Sequence, residues 1–280
     1  MPTSAPKLVV LDESHQTKHH PILSVGGIIV DHARVPEIET AWREAKAAVG
    51  LGPEQAVKFS ESWNEPRQRA DLFCRIAELP ISCLITLLED FRPMGMKLRK
   101  ETRKDLYIHG RAFEYVLQRL VGVQFIAAGG GPHLVAIDRR DDAKELHETY
   151  SSHYRTGWIF GSHQIPSLKD HGFAETLLVC DRGPLHEIAD FIVSGMTGWV
   201  GARCAVLKGK TVSDLDERNE MCRAVVRLFP SRAIPESWRG WSFITHKGDI
   251  TGKELIAQNI DAWLREMAAP PPPAKDNIPF

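Results

Sequence analysis

The chain has 280 residues, a length that suits one large domain or two small ones. Hydrophobic residues at 43% and charged residues at 25% are those of an ordinary globular protein, which excludes a mostly disordered chain, a collagen-like fibre and a disulfide scaffold. Lys+Arg 35 against Asp+Glu 36 leaves a net charge of -1, so no global field draws the chain to nucleic acid or membrane, and any polyanion contact has to come from a local patch.

In chain order, Lys7–Asp12 reads as a buried strand ending in a carboxylate, and Ile22–Val30 as a second strand joined to it by a short polar hairpin connection. Gly26 and Gly27 inside the second strand predict a bulge or a close backbone approach. A helix is predicted over 36–49, with Pro36 in its first turn and Gly50 at its end. A short strand is expected at 56–60, a helix at 66–78 stopped by Pro80, and a strong strand at 81–88. Residues 103–121 have the spacing of a long amphipathic helix.

A glycine-rich turn at 129–131 leads into the strand His133–Asp138, which ends in a second carboxylate. Helix 141–154, strand 174–180 running into Asp181, and helix 184–200 opened by Pro184 follow. The C-terminal part has helical segments near 214–228 and 252–267 and a strand candidate at 241–246. The four prolines that open the tail 270–280 predict an extended or disordered end. Hairpin strands followed by alternating strands and helices predict an α/β fold, a mixed central sheet flanked by helices on both faces.

The five cysteines (Cys74, Cys83, Cys180, Cys204, Cys222) lack the short pair spacing of a zinc or redox motif. Their mostly apolar surroundings read as reduced thiols of a cytoplasmic protein. The N-terminus lacks the apolar stretch of a signal peptide, and no run approaches the roughly 18 apolar residues of a membrane span.

The acids carry the functional signal. Asp12 and Glu13 end the first strand, Asp138 a middle one, and Asp181 follows a later one. In open α/β sheets such strand ends carry the site. Asp190 lies inside the apolar run of a helix, where an unpaired carboxylate costs free energy. Its small neighbours Ala189, Ser194 and Gly195 predict close approach of that helix to the sheet. Acids converging in space repel unless a cation holds them, and oxygen donors suit Mg²⁺ or Mn²⁺. Taken singly, each strand-end Asp is more commonly a turn or cap residue.

Four pieces in order resemble the domain-of-unknown-function 3800 family. They are Leu11-Asp-Glu-Ser14 followed by the Gly26-Gly27 strand, Val57-Lys-Phe-Ser60, Val135-Ala-Ile-Asp138, and Leu185-His-Glu-Ile-Ala-Asp190. The resemblance spans about residues 7–200. It implies a ribonuclease H-like fold with Asp12, Glu13, Asp138 and Asp190 as an acidic metal site and Lys58 as a polar partner; Asp181 is a possible extra ligand by its strand-end position, which the motif does not demand. His15 stands where the family usually has Gly, and His186 where Gln is common, which puts substrate contacts in doubt rather than the acids.

Other groups are weighed beside these. Lys97, Arg99, Lys100, Arg103 and Lys104 form a basic cluster at the start of the long helix, where positive charge opposes the helix dipole and a phosphate would relieve it. Arg139 and Arg140 directly follow Asp138 and could hold a phosphate. The alternative for both groups is an ordinary charged surface. His15, His19 and His20 read as a solvated loop in preference to a metal site. Trp63 and Trp158 could stack on a base, but core packing is the favoured reading.

The expectation is therefore a ribonuclease H-like domain over 1–204, a helical extension over 205–269 and a Pro-rich tail over 270–280. Its function would be Mg²⁺- or Mn²⁺-dependent phosphodiester hydrolysis in nucleic acid, without a membrane partner. The alternatives are a non-catalytic nucleic-acid or protein-binding module of the same fold in a mobile-element or defence system, and a metal enzyme on a small phosphorylated substrate.

Overall fold

The computed structural model describes residues 5–16, 22–60, 65–89, 103–122, 126, 130–140, 143–160, 163–229, 241–245 and 255–269. Eight strands and seven α-helices are described. They run β1 Lys7–Gln16, β2 Ile22–Asp31, α1 Val35–Ala48, α2 Pro66–Ile76, β3 Ile81–Glu89, α3 Arg103–Gly122, β4 Leu134–Asp138, α4 Ala143–Thr156, β5 Trp158–Phe160, β6 His163–Ile165, β7 Leu178–Cys180, α5 Pro184–Leu207, α6 Leu215–Val226, β8 Trp241–Thr245 and α7 Leu255–Ala268.

Six strands form the central sheet in the order β7-β4-β1-β2-β3-β8. β2 is antiparallel to both β1 and β3, while β1–β4, β4–β7 and β3–β8 are parallel. Helices α1, α2, α5, α6 and α7 contribute to one core and α3 and α4 to the other. An antiparallel three-strand unit extended by parallel β4 and β7, with helices on both faces, is a ribonuclease H-like α/β fold.

Strand alternation places the site. Val10 and Ala136 belong to the core on the α5 side, whereas Val9, Leu11, Val135 and Ile137 belong to the α3/α4 side. Successive side chains of a strand point to opposite faces. β1 and β4 run in register, Leu11 beside Ile137, so Asp12 and Asp138 follow Val10 and Ala136 onto the α5 side. Glu13 turns the other way.

Three expectations are corrected. β1 runs on to Gln16, so Asp12 and Glu13 lie within a paired strand, opposite Gly26 and Val25. Of the two readings of Gly26-Gly27 the close approach holds and the bulge does not, since the pairing of β1 with β2 is unbroken. A Cβ on Gly27 (φ +156) would lie 1.9 Å from the Val10 carbonyl oxygen, and one on Gly26 would lie 2.4 Å from that of Leu84.

Residues 56–60 form a loop and turn, not a strand, because the N–H groups of Val57 and Phe59 go to carboxylates of α5 rather than to a neighbouring strand. Gly195 makes room for the Phe73 ring of α2, 2.4 Å from an ideal Cβ, and not for the sheet. The contact of α5 with the sheet includes the Thr197 hydroxyl, which donates to Ser24 of β2 at 2.6 Å. The β5–β6 hairpin was unpredicted, and α5 continues to Leu207.

Candidate functional site: three carboxylates around one arginine

Asp12 from β1, Asp138 from the end of β4 and Asp190 from the second turn of α5 meet around the guanidinium of Arg182. Arg182 lies in the short connection between β7 and α5. Its Nη1 is 3.7 Å from Asp12 Oδ2 and 3.8 Å from Asp138 Oδ2. Its Nη2 donates to Asp190 Oδ2 at 2.7 Å and to the Val57 carbonyl at 3.4 Å. The Arg182 side chain keeps 20% of its surface exposed.

Asp190 is held on three sides. Besides Arg182, the Phe59 N–H donates to its Oδ2 at 3.0 Å and the Ser194 hydroxyl donates to its Oδ1 at 2.9 Å. Ser194 stands four residues along the same helix, the spacing that brings side chains together on one face. These donors answer the cost of placing an acid in an apolar helix.

Asp12 carries the site's electrostatic strain. Burial, and then the Asp190 charge, push its carboxyl up to about 7 from the usual 3.8. The Glu13 N–H, 2.7 Å from Asp12 Oδ1, and the Arg182 charge oppose the rise without cancelling it. One guanidinium therefore undercompensates the acids.

The remaining expected residues are distributed as follows. Glu13 pairs with Arg140 at 2.7 Å, and both line a small pocket with Leu11, Val25, Phe113 and Leu146. Asp181 is exposed and pairs with Arg139 at 3.2 Å, so these contacts put it at the surface beside the site. Lys58 is exposed on the loop whose next N–H binds Asp190. Lys97, Arg99 and Lys100 lie outside the described residues, as do Trp63, His19 and His20. Arg103 and Lys104 begin α3, but their side chains also lie outside the description. Trp158 is buried and stacks on His153, with centroids 4.5 Å apart, which settles it as packing.

Two participants were missed. Arg182 directly follows Asp181 in the sequence, but a lone basic residue after a strand gives no signal of its own. Glu187, one turn before Asp190, is buried in the same apolar helix, and the argument applied to Asp190 finds it equally. Its carboxylate accepts from Trp42 Nε1 at 2.6 Å, Lys46 Nζ at 3.1 Å and the Val57 N–H at 3.2 Å.

Beside the acids, His186 is buried and its Nε2 lies 3.9 Å from Cys180 Sγ. Burial holds its pKa below the ordinary imidazole value, against the pull of Asp138. Burial, with Asp138 and Asp181, pushes the Cys180 thiol up, which disfavours a reactive thiolate. None of the five cysteines is in a disulfide. Cys83, Cys204 and Cys222 are buried, whereas Cys74 is exposed.

Among the described residues no three His, Cys, Asp or Glu side chains stand close enough together to hold one ion as placed. The carboxylates are spread around a guanidinium, which is larger than a metal ion. The donor set is nonetheless all oxygen, the kind a hard divalent cation takes, and a cationic group already sits between the acids. By donor chemistry Asp12, Asp138 and Asp190 fit such an ion. Among the described residues no helix is long and apolar enough to cross a membrane.

No protein-family model matches the chain, and no curated protein matches it. Among solved structures, it is similar to ribonuclease H2 from Pyrococcus horikoshii OT3, with 12% identity, a TM-score of 0.44, and coverage of 78% of this chain and 85% of that one. It is also similar to Bst-RNase HIII in complex with Mn²⁺, with 13% identity, a TM-score of 0.42 and coverage of 81% of this chain. The match spans 63% of the length of that second protein.

Proposed function

We propose that the chain is a divalent-metal-dependent phosphodiesterase acting on nucleic acid. The observation that carries this reading is the convergence of Asp12, Asp138 and Asp190, from three separate elements, on one cationic position. Three carboxylates gathered in a partly buried site are unfavourable for folding alone, and the raised Asp12 carboxyl expresses that cost.

Asp12, Asp138 and Asp190 would hold Mg²⁺ or Mn²⁺. When bound, the ion supplies activation of a water and stabilisation of the leaving oxygen. The Phe59 N–H and Ser194 orient Asp190. Lys58, exposed on the anchored loop, is the side chain for the scissile phosphate. Arg139 and Arg140 follow Asp138 in the sequence and would meet flanking phosphates, in exchange for their present partners Asp181 and Glu13.

The test is cleavage of labelled DNA and RNA with Mn²⁺ or Mg²⁺, by wild type and Asp190→Asn. Metal-dependent cleavage lost in the variant is the expected result. Cleavage that survives in Asp190→Asn or in a chelator would overturn the reading. A second reading, a non-catalytic module of the same fold, is favoured by Arg182 alone, which partly offsets the charge of the acids without any metal. It predicts binding of nucleic acid or protein with no metal affinity at these acids.

A further inference from the structure

Arg182 faces three acids but is poorly satisfied as an arginine. Only one of its carboxylate contacts, to Asp190 at 2.7 Å, has hydrogen-bond length, and the approaches to Asp12 and Asp138 at 3.7 and 3.8 Å are held by charge. Its Nε is shut off from solvent and has no hydrogen-bond partner among the described residues. A guanidinium built into a permanent structural role normally uses its fork of donors in paired bonds. Here one positive charge stands against three carboxylates, and the fork makes two hydrogen bonds, both from Nη2, to Asp190 and to the Val57 carbonyl.

The backbone around it has room. Gly183 follows directly, and a Cβ there would meet nothing within 4 Å. The residue belongs to a three-residue connection rather than to a strand or helix. Its side chain is partly open to water, so an outward path exists.

We infer that Arg182 is a displaceable counter-ion, whose guanidinium partly offsets the charge of Asp12, Asp138 and Asp190 in the metal-free protein and gives up that place when a divalent cation binds them. The inference rests on reading the three acids as a metal site. It makes the arginine and the metal competitors for the same carboxylates. Removing the guanidinium then has two opposite effects: metal affinity rises and metal-free stability falls. An arginine that served only to hold the β7–α5 connection would lower stability without raising metal affinity.

The experiment is calorimetric titration of the full chain with Mn²⁺ alone, on wild type, Arg182→Gln, Asp190→Asn and the double variant, with thermal unfolding of each without metal. Arg182→Gln is expected to bind Mn²⁺ about tenfold more tightly than wild type, in line with the loss of a competing partly buried charge. It is also expected to unfold at a lower temperature without metal. Binding by Arg182→Gln where wild type binds none is the same result in stronger form.

Equal or weaker binding by Arg182→Gln, with binding abolished by Asp190→Asn in both backgrounds, overturns the counter-ion role and leaves the metal site standing. If neither wild type nor Arg182→Gln binds Mn²⁺, or if Asp190→Asn leaves binding unchanged, the metal site itself fails and the counter-ion role falls with it. Should Arg182→Gln not fold, Arg182→Lys decides the matter. Its compact ammonium reaches fewer of the carboxylates, so tighter Mn²⁺ binding than wild type supports the inference and unchanged binding refutes it.

Discussion

Glu187 and Asp190 stand one turn apart on α5, are both buried, and both hold the backbone of the 57–59 loop. Their surroundings differ. Glu187 meets a single buried cation, Lys46, whose remaining donor contact goes to the Gln55 carbonyl, and it also accepts from an indole and a backbone N–H. Charge and hydrogen bonds are matched there. Asp190 shares one guanidinium with two further carboxylates, and Asp12 bears the excess. The difference separates an acid that serves the fold from one that burdens it. A structural carboxylate is matched one to one, whereas a cluster left short of positive charge is the kind of site that functional chemistry uses.

The largest expected effect lies on the matched side. Lys46→Ala leaves Glu187 buried without its counter-charge and is expected to cost about 3–5 kcal/mol in urea unfolding. A loss under about 1 kcal/mol would show that the indole and the Val57 N–H suffice. On the unmatched side the expected signature is in pH. The Asp12 carboxyl titrates near 7 in the folded protein and near 3.8 unfolded, so the folded state keeps a proton that the unfolded state has released. The Asp12 contribution to the stability of the metal-free protein should be fully present below about pH 4 and lost as pH rises to about 7. The total is on the order of 4 kcal/mol. Asp12→Asn should flatten that part of the profile, and a wild-type profile rising over the same range would contradict the assignment.

Gly195→Ala tests the helix without touching either acid. A Cβ there meets the Phe73 ring, and overpacking of this kind costs about 1–3 kcal/mol. The pH profile from Asp12 should persist in it, shifted down as a whole. Ser194→Ala is the smallest change. Removing the hydroxyl at 2.9 Å from Asp190 Oδ1 should cost about 1 kcal/mol by thermal unfolding. If the acids bind Mn²⁺, it should also loosen Asp190 and weaken that binding.

Much of the sheet was legible because its strands are nearly all apolar. β2 is buried over nine of its ten residues, and such a run admits few other readings. α1 was bounded by Pro36 and Gly50, the latter at φ +83 as a helix end requires. The loop at 56–60 was misread because Val57 and Phe59 alternate with polar residues as a strand would. Nothing local says that their N–H groups go to side chains more than a hundred residues away. The β5–β6 hairpin is too short for periodicity to register, with three residues in each strand.

By itself the sequence determined which residues are apolar and with what period, and so the mixed sheet and the helices on both faces. It also marked Asp190 as an acid that needs a partner. The tertiary structure alone decided who that partner is. Arg182, Phe59 and Ser194 reach Asp190 from a connection, a loop and the same helix, while Glu13 turns to the opposite face to meet Arg140. Local patterning reports burial, because burial follows from each residue's own transfer free energy. Pairing between charges depends on distances of a few ångströms across the sheet, which no single stretch of chain encodes.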